Sequence, residues 1–190
     1  MLPRIAKPMI VLITGGVRSG KSAFAATRAA AAGGTVTYIA TAGLDPSDAE
    51  FVERVARHRR DRPATWRSIE PLPSALPALV SELAPSDVAI VDSVGTWVSS
   101  ILLEFEQLAD RDSVAALDAL EARLAGFPAA CAQSAATVFL VTEEVGMGIV
   151  PVSAMGRIFR DALGRLNAAL AARADQVVLM VAGIPLAVKG

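Results

Sequence analysis

Eight residues near the N-terminus have the types and spacing of a phosphate-binding loop. Residues 15–22 read Gly-Gly-Val-Arg-Ser-Gly-Lys-Ser and fit the pattern G-x-x-x-x-G-K-S. Glycines allow main-chain N–H groups to surround phosphate oxygens, and the following helix directs its positive end at them. We expect Lys21 to reach the outer phosphates and Ser22 to hold Mg²⁺. A glycine-rich turn with a solvated lysine is the weaker alternative, because the chain contains only three lysines. The expected phosphate contacts are Gly15, Gly16, Val17, Arg18, Ser19, Gly20, Lys21 and Ser22.

A second carboxyl-bearing position ends an apolar run. Residues 88–92 read Val-Ala-Ile-Val-Asp, which is typical of a buried strand that places Asp92 at its end. In nucleotide-binding enzymes such an aspartate binds the magnesium ion. The alternative is an aspartate that only terminates the strand or caps the helix after it.

The single histidine, His58, lies within a cluster of arginines. Six arginines fall between positions 54 and 67. Guanidinium groups bind phosphate in bidentate fashion, so the cluster could grip a polyphosphate. The neighbouring positive charges also disfavour imidazolium, which leaves a neutral His58 able to attack phosphorus. The non-functional alternative is that the arginines form a solvated helix face. In that case His58 would complete an apolar stripe with Phe51 and Val55.

Short β-branched runs and helical segments alternate along the chain. This alternation predicts a mostly parallel sheet with helices on both faces and ligands beyond the carboxyl ends of the strands. The predicted strands are residues 10–14, 35–40, 88–92, 137–142 and 177–181. The predicted helices are residues 21–32, 47–60, 74–83, 94–108, 114–125 and 154–172. We expect residues 1–190 to form a single domain.

The overall composition excludes several classes of protein. Of 190 residues, 53% are hydrophobic and 19% are charged, which is typical of a compact globular chain. The net charge of -1 argues against general binding to nucleic acid or to an anionic membrane. The longest apolar stretch, residues 177–188, is too short for a membrane span. The single cysteine, Cys131, and the lack of a visible export signal favour the cytoplasm.

Several further segments form a recognisable set with the phosphate loop. They are Tyr38-Ile39-Ala40-Thr41-Ala42, Arg57-His58-Arg59-Arg60-Asp61-Arg62-Pro63 with Trp66 and Glu70, Glu144-Val145-Gly146-Met147-Gly148-Ile149-Val150-Pro151, and Phe159-Arg160-Asp161 with Gly164 and Asn167. Together these residues resemble the bifunctional adenosylcobinamide kinase / adenosylcobinamide-phosphate guanylyltransferase family of cobalamin biosynthesis. The resemblance spans nearly the whole chain.

The resemblance implies a fold, an assembly and two reactions. The implied fold is an α/β P-loop NTPase, a RecA-like three-layer sandwich with a mostly parallel sheet, and the implied assembly is a homotrimer. In the first reaction ATP or GTP phosphorylates the aminopropanol hydroxyl of adenosylcobinamide. In the second, a histidine takes GMP from GTP and passes it to that phosphate, giving adenosylcobinamide-GDP.

The resemblance also assigns site residues. His58 matches the histidine that carries GMP, and Mg²⁺ is implied at Ser22 and Asp92. Nucleotide contacts beyond the phosphate loop match Ala40, Thr41, Ala42, Arg59, Arg60, Asp61, Arg62, Glu70 and Asp92. Three positions depart from the family's frequent residues. Asp92 stands where glutamate is frequent, Arg59 where lysine is common, and Glu143 where asparagine is frequent.

Two other functions remain as alternatives. The first is a plain small-molecule kinase of the P-loop type, in which His58 is structural and no nucleotidyl-enzyme forms. The second is a GTP-dependent switch or an assembly ATPase. The guanine-reading motif N-K-x-D of switch GTPases is missing, because no lysine in the chain follows an asparagine.

Overall fold

The computed structural model describes residues 8–41, 53 and 63–190. Within these residues, seven strands form one sheet in the order β3-β2-β4-β5-β1-β6-β7. Neighbouring strands run parallel except for β6 and β7, which are antiparallel. The strands are β1 (Ile10–Gly15), β2 (Thr35–Ala40), β3 (Arg67–Ile69), β4 (Asp87–Asp92), β5 (Thr137–Val141), β6 (Gln176–Val181) and β7 (Ile184–Lys189).

Helices connect the strands of the described residues. They are α1 (Lys21–Ala32), α2 (Leu76–Ser81), α3 (Val94–Leu102), α4 (Glu106–Ala109), α5 (Ser113–Leu124), α6 (Phe127–Gln133) and α7 (Ala154–Arg173), with 3₁₀ turns at Pro73–Ala75 and Leu103–Phe105. None of the helices in the described part of the chain is long and apolar enough to cross a membrane.

The sheet separates two apolar layers, because successive side chains of a strand point to opposite faces. On one face the sheet packs against α1 through Ala25 and Ala29. On the other face it packs against helices that include α3 and α7, and Trp97 lies 4.6 Å from Phe127 between ring centroids. The expected three-layer α/β sandwich with a mostly parallel sheet is confirmed, and the phosphate loop lies between β1 and α1 as in a P-loop fold.

The strands predicted from apolar runs are confirmed to within one residue at each end, because the five runs are buried strands of the sheet centre. The pattern does not predict β3, β7 or α6. The first is only three residues long and begins with two exposed polar residues, and all six residues of β7 are exposed. Neither strand therefore carries the buried apolar run on which such predictions depend.

Two helix predictions are wrong in their extent. The segment 74–83 begins as the 3₁₀ turn Pro73–Ala75, and its α-helix covers only Leu76–Ser81. The segment 94–108 is not one helix, since α3 ends at Leu102 and is followed by a 3₁₀ turn and α4. The apolar spacing continues through the turn, so periodicity alone does not locate the break. The predicted helix over residues 47–60 lies outside the described residues, except for the helical Glu53.

Candidate functional site

The phosphate loop connects the carboxyl end of β1 to α1. Its backbone is left-handed at Gly15 (φ 150°), Arg18 (φ 56°) and Gly20 (φ 94°), and Gly20 is the residue that precedes α1. Left-handed backbone between right-handed residues curls a loop so that successive N–H groups face one concavity, which suits an anion. The N-terminus of the twelve-residue α1 faces the same loop.

Two glycines of the loop are required by close packing on β6 and the turn after it. A Cβ atom at Gly15 would lie 2.5 Å from the carbonyl oxygen of Met180. A Cβ atom at Gly20 would lie 3.3 Å from the Cα atom of Gly183. The N–H of Gly183 donates to the carbonyl oxygen of Ser19 at 3.0 Å. The turn between β6 and β7 therefore packs against the phosphate loop and donates a hydrogen bond to it.

Lys21 is buried within the loop although it is charged, with 8% of its surface exposed. Its ammonium donates to the carbonyl oxygens of Gly15 at 2.9 Å and Gly16 at 2.8 Å. These bonds satisfy part of the desolvated charge and hold it beside the N–H groups of the loop. The hydroxyl of Ser19 is buried without a hydrogen-bond partner among the described residues, so it is suited to a phosphate oxygen.

Asp92 ends β4 and lies opposite Ala40 at the end of β2. The Tyr38 hydroxyl donates a hydrogen bond to Oδ2 of Asp92. The helix-capping alternative for Asp92 is wrong, because the cap of α3 is Ser93, which forms a reciprocal capping box with Thr96. The carboxylate of Asp92 is thus free of any capping role.

Thr41 ties the ends of β2 and β4 together. Its hydroxyl donates to the carbonyl oxygen of Ser93 at 2.6 Å and lies 2.6 Å from Oγ1 of Thr96. Its N–H donates to the carbonyl oxygen of Asp92 at 3.3 Å. The side chain of Thr41 is buried in this network. Its contacts therefore hold the end of β4, where Asp92 lies, in position.

The other predicted site residues divide into two groups. Ala40 ends β2, Glu70 directly follows β3, and Ser22 lies in the first turn of α1. The parallel strands bring these residues to the same carboxyl edge as the phosphate loop and Asp92. Six predicted residues lie outside the described residues, namely Ala42, His58, Arg59, Arg60, Asp61 and Arg62. The binding and catalytic roles of all the predicted site residues stay predictions, as does the alternative that His58 completes an apolar stripe.

Two residues at this edge carry the hard oxygen donors that Mg²⁺ prefers, and they could hold the ion. The donors are the Ser22 hydroxyl and the Asp92 carboxylate. The described residues contain no cluster of three or more His, Cys, Asp or Glu side chains placed to hold a metal. Mg²⁺ needs only a few protein ligands, because phosphates and water complete its octahedral coordination.

The residues after β5 form a second supported segment at this edge. The N–H of Thr142 donates to the carbonyl oxygen of Ile13 at 2.9 Å, and the N–H of Glu144 donates to that of Gly15 at 3.1 Å. The Glu144 carboxylate then accepts from the N–H groups of Gly146 at 2.8 Å and Met147 at 3.0 Å. The Glu-Val-Gly-Met run is therefore a turn bound directly to the phosphate loop.

Residue types and spacing do not assign roles to three polar residues at this edge. They are Tyr38, which binds Asp92, and the pair Asn167 and Glu143, described further below. A tyrosine in an otherwise apolar strand is a usable signal, because a buried hydroxyl needs a partner. The approach of Asn167 to the end of β5 is not readable from the sequence, because the two lie 24 residues apart.

The chain is similar in sequence to known proteins along almost its whole length. The family described as cobinamide kinase / cobinamide phosphate guanyltransferase (CobU) matches residues 11–188. The chain is 39% identical over 184 residues to the bifunctional adenosylcobalamin biosynthesis protein CobU of Escherichia coli strain K12, covering 95% of this chain and 100% of that one. It is 39% identical over 181 residues to the bifunctional adenosylcobalamin biosynthesis protein CobP of Pseudomonas aeruginosa, covering 94% and 96%.

One solved structure is also similar. The flagellar accessory protein FlaH from Methanocaldococcus jannaschii aligns with a TM-score of 0.48 at 14% identity, covering 97% of this chain and 80% of that one. The family match along residues 11–188 and the near-complete coverage of the relatives are the decisive findings. The chain belongs to the cobinamide kinase / cobinamide phosphate guanyltransferase family of enzymes.

Proposed function

We propose that this protein phosphorylates adenosylcobinamide with ATP or GTP and then transfers GMP from GTP to the product, giving adenosylcobinamide-GDP. The second reaction proceeds through a guanylyl-histidine at His58. The observation that carries the proposal is the 39% identity over 95% of the chain to a bifunctional adenosylcobalamin biosynthesis protein. The phosphate loop and Asp92 lie at one edge of the sheet, as a nucleotide-dependent transferase requires.

In the kinase reaction the phosphate loop binds and orients the triphosphate. Main-chain N–H groups at the start of α1 and the Lys21 ammonium surround the phosphate oxygens, while Ser22 and Asp92 would hold Mg²⁺. When bound, the ion supplies positive charge that offsets the negative charge of the transferring phosphoryl group. The acceptor hydroxyl oxygen bonds to the γ-phosphorus and releases its proton to water, while the bond from the γ-phosphorus to the β-phosphate oxygen breaks and the nucleoside diphosphate leaves.

In the guanylyl reaction His58 is the nucleophile. Its neutral imidazole bonds to the α-phosphorus of GTP as the bond to pyrophosphate breaks, and Arg59, Arg60 and Arg62 neutralise the departing charge. The phosphate of adenosylcobinamide phosphate then attacks the same phosphorus and releases the imidazole. This step rests on the family match, because residues 54–62 lie outside the described residues.

Labelling of the protein tests the guanylyl step. Purified protein is incubated with Mg²⁺ and α-³²P-labelled GTP beside the variant His58→Ala. Acid-labile, alkali-stable label on the wild type that is missing from the variant supports a guanylyl-histidine. Absence of label on both, with GTP binding intact, contradicts the transferase step and favours the plain kinase.

A matched pair of assays tests the kinase step. Adenosylcobinamide is supplied with γ-³²P-labelled ATP or GTP, and phosphorylated corrinoid is separated by chromatography. Lys21→Ala is expected to lose about 100-fold or more in rate, as removal of a transition-state donor does. His58→Ala is expected to keep this activity, and a loss equal to that of Lys21→Ala would contradict the division of roles.

The proposal includes a single domain over residues 1–190, a cytoplasmic location and a homotrimer. Support for self-association comes from β7, an edge strand whose apolar residues Ile184, Leu186 and Val188 are all exposed. Exposed apolar edge strands are usually covered by another chain or element. Light scattering on the purified protein tests the assembly, and a monomer mass would contradict it.

A further inference from the structure

Tyr38 brings a polar group into an apolar layer of the protein. It is the only tyrosine of the chain, and its side chain lies in the layer between the sheet and α1. Only 5% of its surface is exposed. Phenylalanine would fill the same volume without a hydroxyl to satisfy, and a buried hydroxyl needs a hydrogen-bond partner. The partner of this hydroxyl therefore indicates what Tyr38 contributes.

The register of the sheet places Tyr38 and Asp92 on the same face. Strands β2 and β4 are parallel neighbours in which Tyr38 lies opposite Ile90, and both residues belong to the layer that packs against α1. Asp92 follows Ile90 by two residues, and residues two apart on a strand share a face. The Asp92 side chain therefore lies on the α1 side of the sheet, where the first turn of α1 carries Ser22.

The Tyr38 hydroxyl binds one oxygen of the Asp92 carboxylate and leaves the other. The hydroxyl donates to Oδ2 of Asp92. Oδ1 accepts no hydrogen bond from the described residues, and Asp92 is partly exposed. A hydrogen bond to an ionised group is stronger than one between neutral groups. This bond therefore fixes the orientation of the carboxylate while Oδ1 stays available to a ligand.

The other polar side chains near the end of β4 have different partners. Ser93 and Thr96 form the capping box of α3. The carboxyl of Glu143 lies against Gly95, in space that a side chain at that position would fill. Among the described residues, the side-chain donor to the carboxylate at the end of β4 is thus supplied by the neighbouring strand, through Tyr38.

We propose that Tyr38 is a positioning residue of the nucleotide site, which holds Oδ2 of Asp92 so that Oδ1 is presented to the magnesium ion. The inference rests on the proposed function, because that function places Mg²⁺ at Ser22 and Asp92. The χ2 torsion of an aspartate is broad, and a hydrogen bond to one carboxylate oxygen restricts it. Groups that orient a metal ligand in this way typically contribute about 10- to 100-fold to metal affinity.

The metal-dependent part of nucleotide affinity measures this role. Binding of a non-hydrolysable GTP analogue is followed by calorimetry with Mg²⁺ and with excess EDTA, and the ratio of the two Kd values is the metal-dependent gain. The variants are Tyr38→Phe, which removes only the hydroxyl, Asp92→Asn, which removes the charge, and the double variant. Ile39→Val is the matched control, because the next residue of β2 faces the other apolar layer. Thermal unfolding checks that each variant is folded.

The expected pattern separates positioning from packing. Tyr38→Phe loses about 10-fold of the metal-dependent gain and keeps the affinity of the wild type in EDTA. Asp92→Asn loses the gain, and the double variant matches Asp92→Asn because the hydroxyl acts only through the carboxylate. Ile39→Val keeps both affinities. A defect in packing alone would weaken binding in EDTA as well.

The single tyrosine provides a spectroscopic readout of the same contact. Inorganic triphosphate replaces the nucleotide, since it does not absorb in the near ultraviolet, and Mg²⁺ is then added. A cation at Asp92 weakens the hydrogen bond that the carboxylate accepts from the phenol, so the wild type should show a tyrosine difference band. The band should be absent from Asp92→Asn and from Tyr38→Phe. A wild type without the band, or an Asp92→Asn variant with it, contradicts the proposed coupling.

Three results of the binding experiment also overturn the inference. The first is a Tyr38→Phe variant that keeps the full metal-dependent gain. The second is a double variant with a smaller gain than Asp92→Asn, which would show that the hydroxyl acts by another route. The third is an Asp92→Asn variant that keeps the gain, because Asp92 would then not hold the metal. Failure of the proposed function is a separate result, namely a wild type with metal-dependent binding that forms neither guanylyl-protein nor phosphorylated corrinoid.

Discussion

The buried hydroxyl of Thr142 donates a hydrogen bond of 2.7 Å to the side-chain oxygen of Asn167. The same Asn167 donates through its amide to the carbonyl oxygen of Glu143 at 3.0 Å. One asparagine of α7 therefore fixes two successive residues after β5. This contact joins the long C-terminal helix to the edge of the sheet where the phosphate loop lies. Its contribution to the free energy of unfolding can be measured by substitution of Asn167.

Substitution of Asn167 should destabilise the fold measurably. Asn167→Ala leaves the hydroxyl of Thr142, which is 0% exposed, without its partner. A buried polar group left unsatisfied costs about 1–3 kcal/mol in the free energy of unfolding. Urea unfolding followed by circular dichroism measures the change. Arg165→Ala on the same helix is the control, because the Arg165 side chain is 64% exposed in its ion pair with Glu121 and should cost less than about 1 kcal/mol.

The two adjacent glycines of the phosphate loop should respond differently to a methyl group. Gly15→Ala places a Cβ atom 2.5 Å from the carbonyl oxygen of Met180 and 2.9 Å from Oγ of Ser19, at φ +150°. We expect a loss of about 2–4 kcal/mol in the free energy of unfolding. A Cβ atom at Gly16 meets nothing within 4 Å, so Gly16→Ala should change stability by less than about 1 kcal/mol. Equal losses in thermal unfolding would contradict the packing argument.

The stability of the protein should depend on pH through Glu143. Burial raises the pKa of this carboxyl above its ordinary value of 4.5. The folded protein therefore binds the proton more tightly than the unfolded chain does. This contribution to stability is complete below pH 4.5 and is lost as the pH rises through the raised pKa of the folded state.

Glu143→Gln removes that titration while keeping the shape of the side chain. The gain in free energy of unfolding relative to the wild type should therefore be larger at pH 8 than at pH 4, as measured by urea unfolding at both pH values. Glu82→Gln, at an exposed position, serves as the control. A difference between Glu143→Gln and the wild type that is the same at both pH values would exclude the titration of Glu143 as its cause.

Cys131 should be unreactive in the folded protein. The thiol is 1% exposed, and burial raises the pKa of Cys131 to about 12. Because the thiolate is the reactive form, a disulfide reagent at pH 8 should modify the protein only after unfolding in guanidinium. The chain has one cysteine, so the absorbance change reports this thiol alone. Rapid modification of the native protein would contradict its burial.

Much of the architecture is predictable because local sequence carries it. The runs at Ile10–Gly15 and Thr137–Val141 are buried strands, since they sit inside the sheet with helices on both faces. The phosphate loop is likewise local, because its glycines and Lys21 act within eight consecutive residues. Edge strand β7 is not predicted, because all six of its residues are exposed and its sequence therefore lacks the apolar pattern of a buried strand.

The sequence by itself determined the phosphate loop, the alternation of strands and helices, and the family. Only the tertiary structure decided what surrounds the loop. The Tyr38 hydroxyl on Asp92, the Asn167 amide on the main chain of Glu143, and the space that Gly95 leaves for a carboxyl all join residues distant in sequence. Such contacts depend on strand order and helix packing, and side-chain periodicity contains no information on which strands become neighbours.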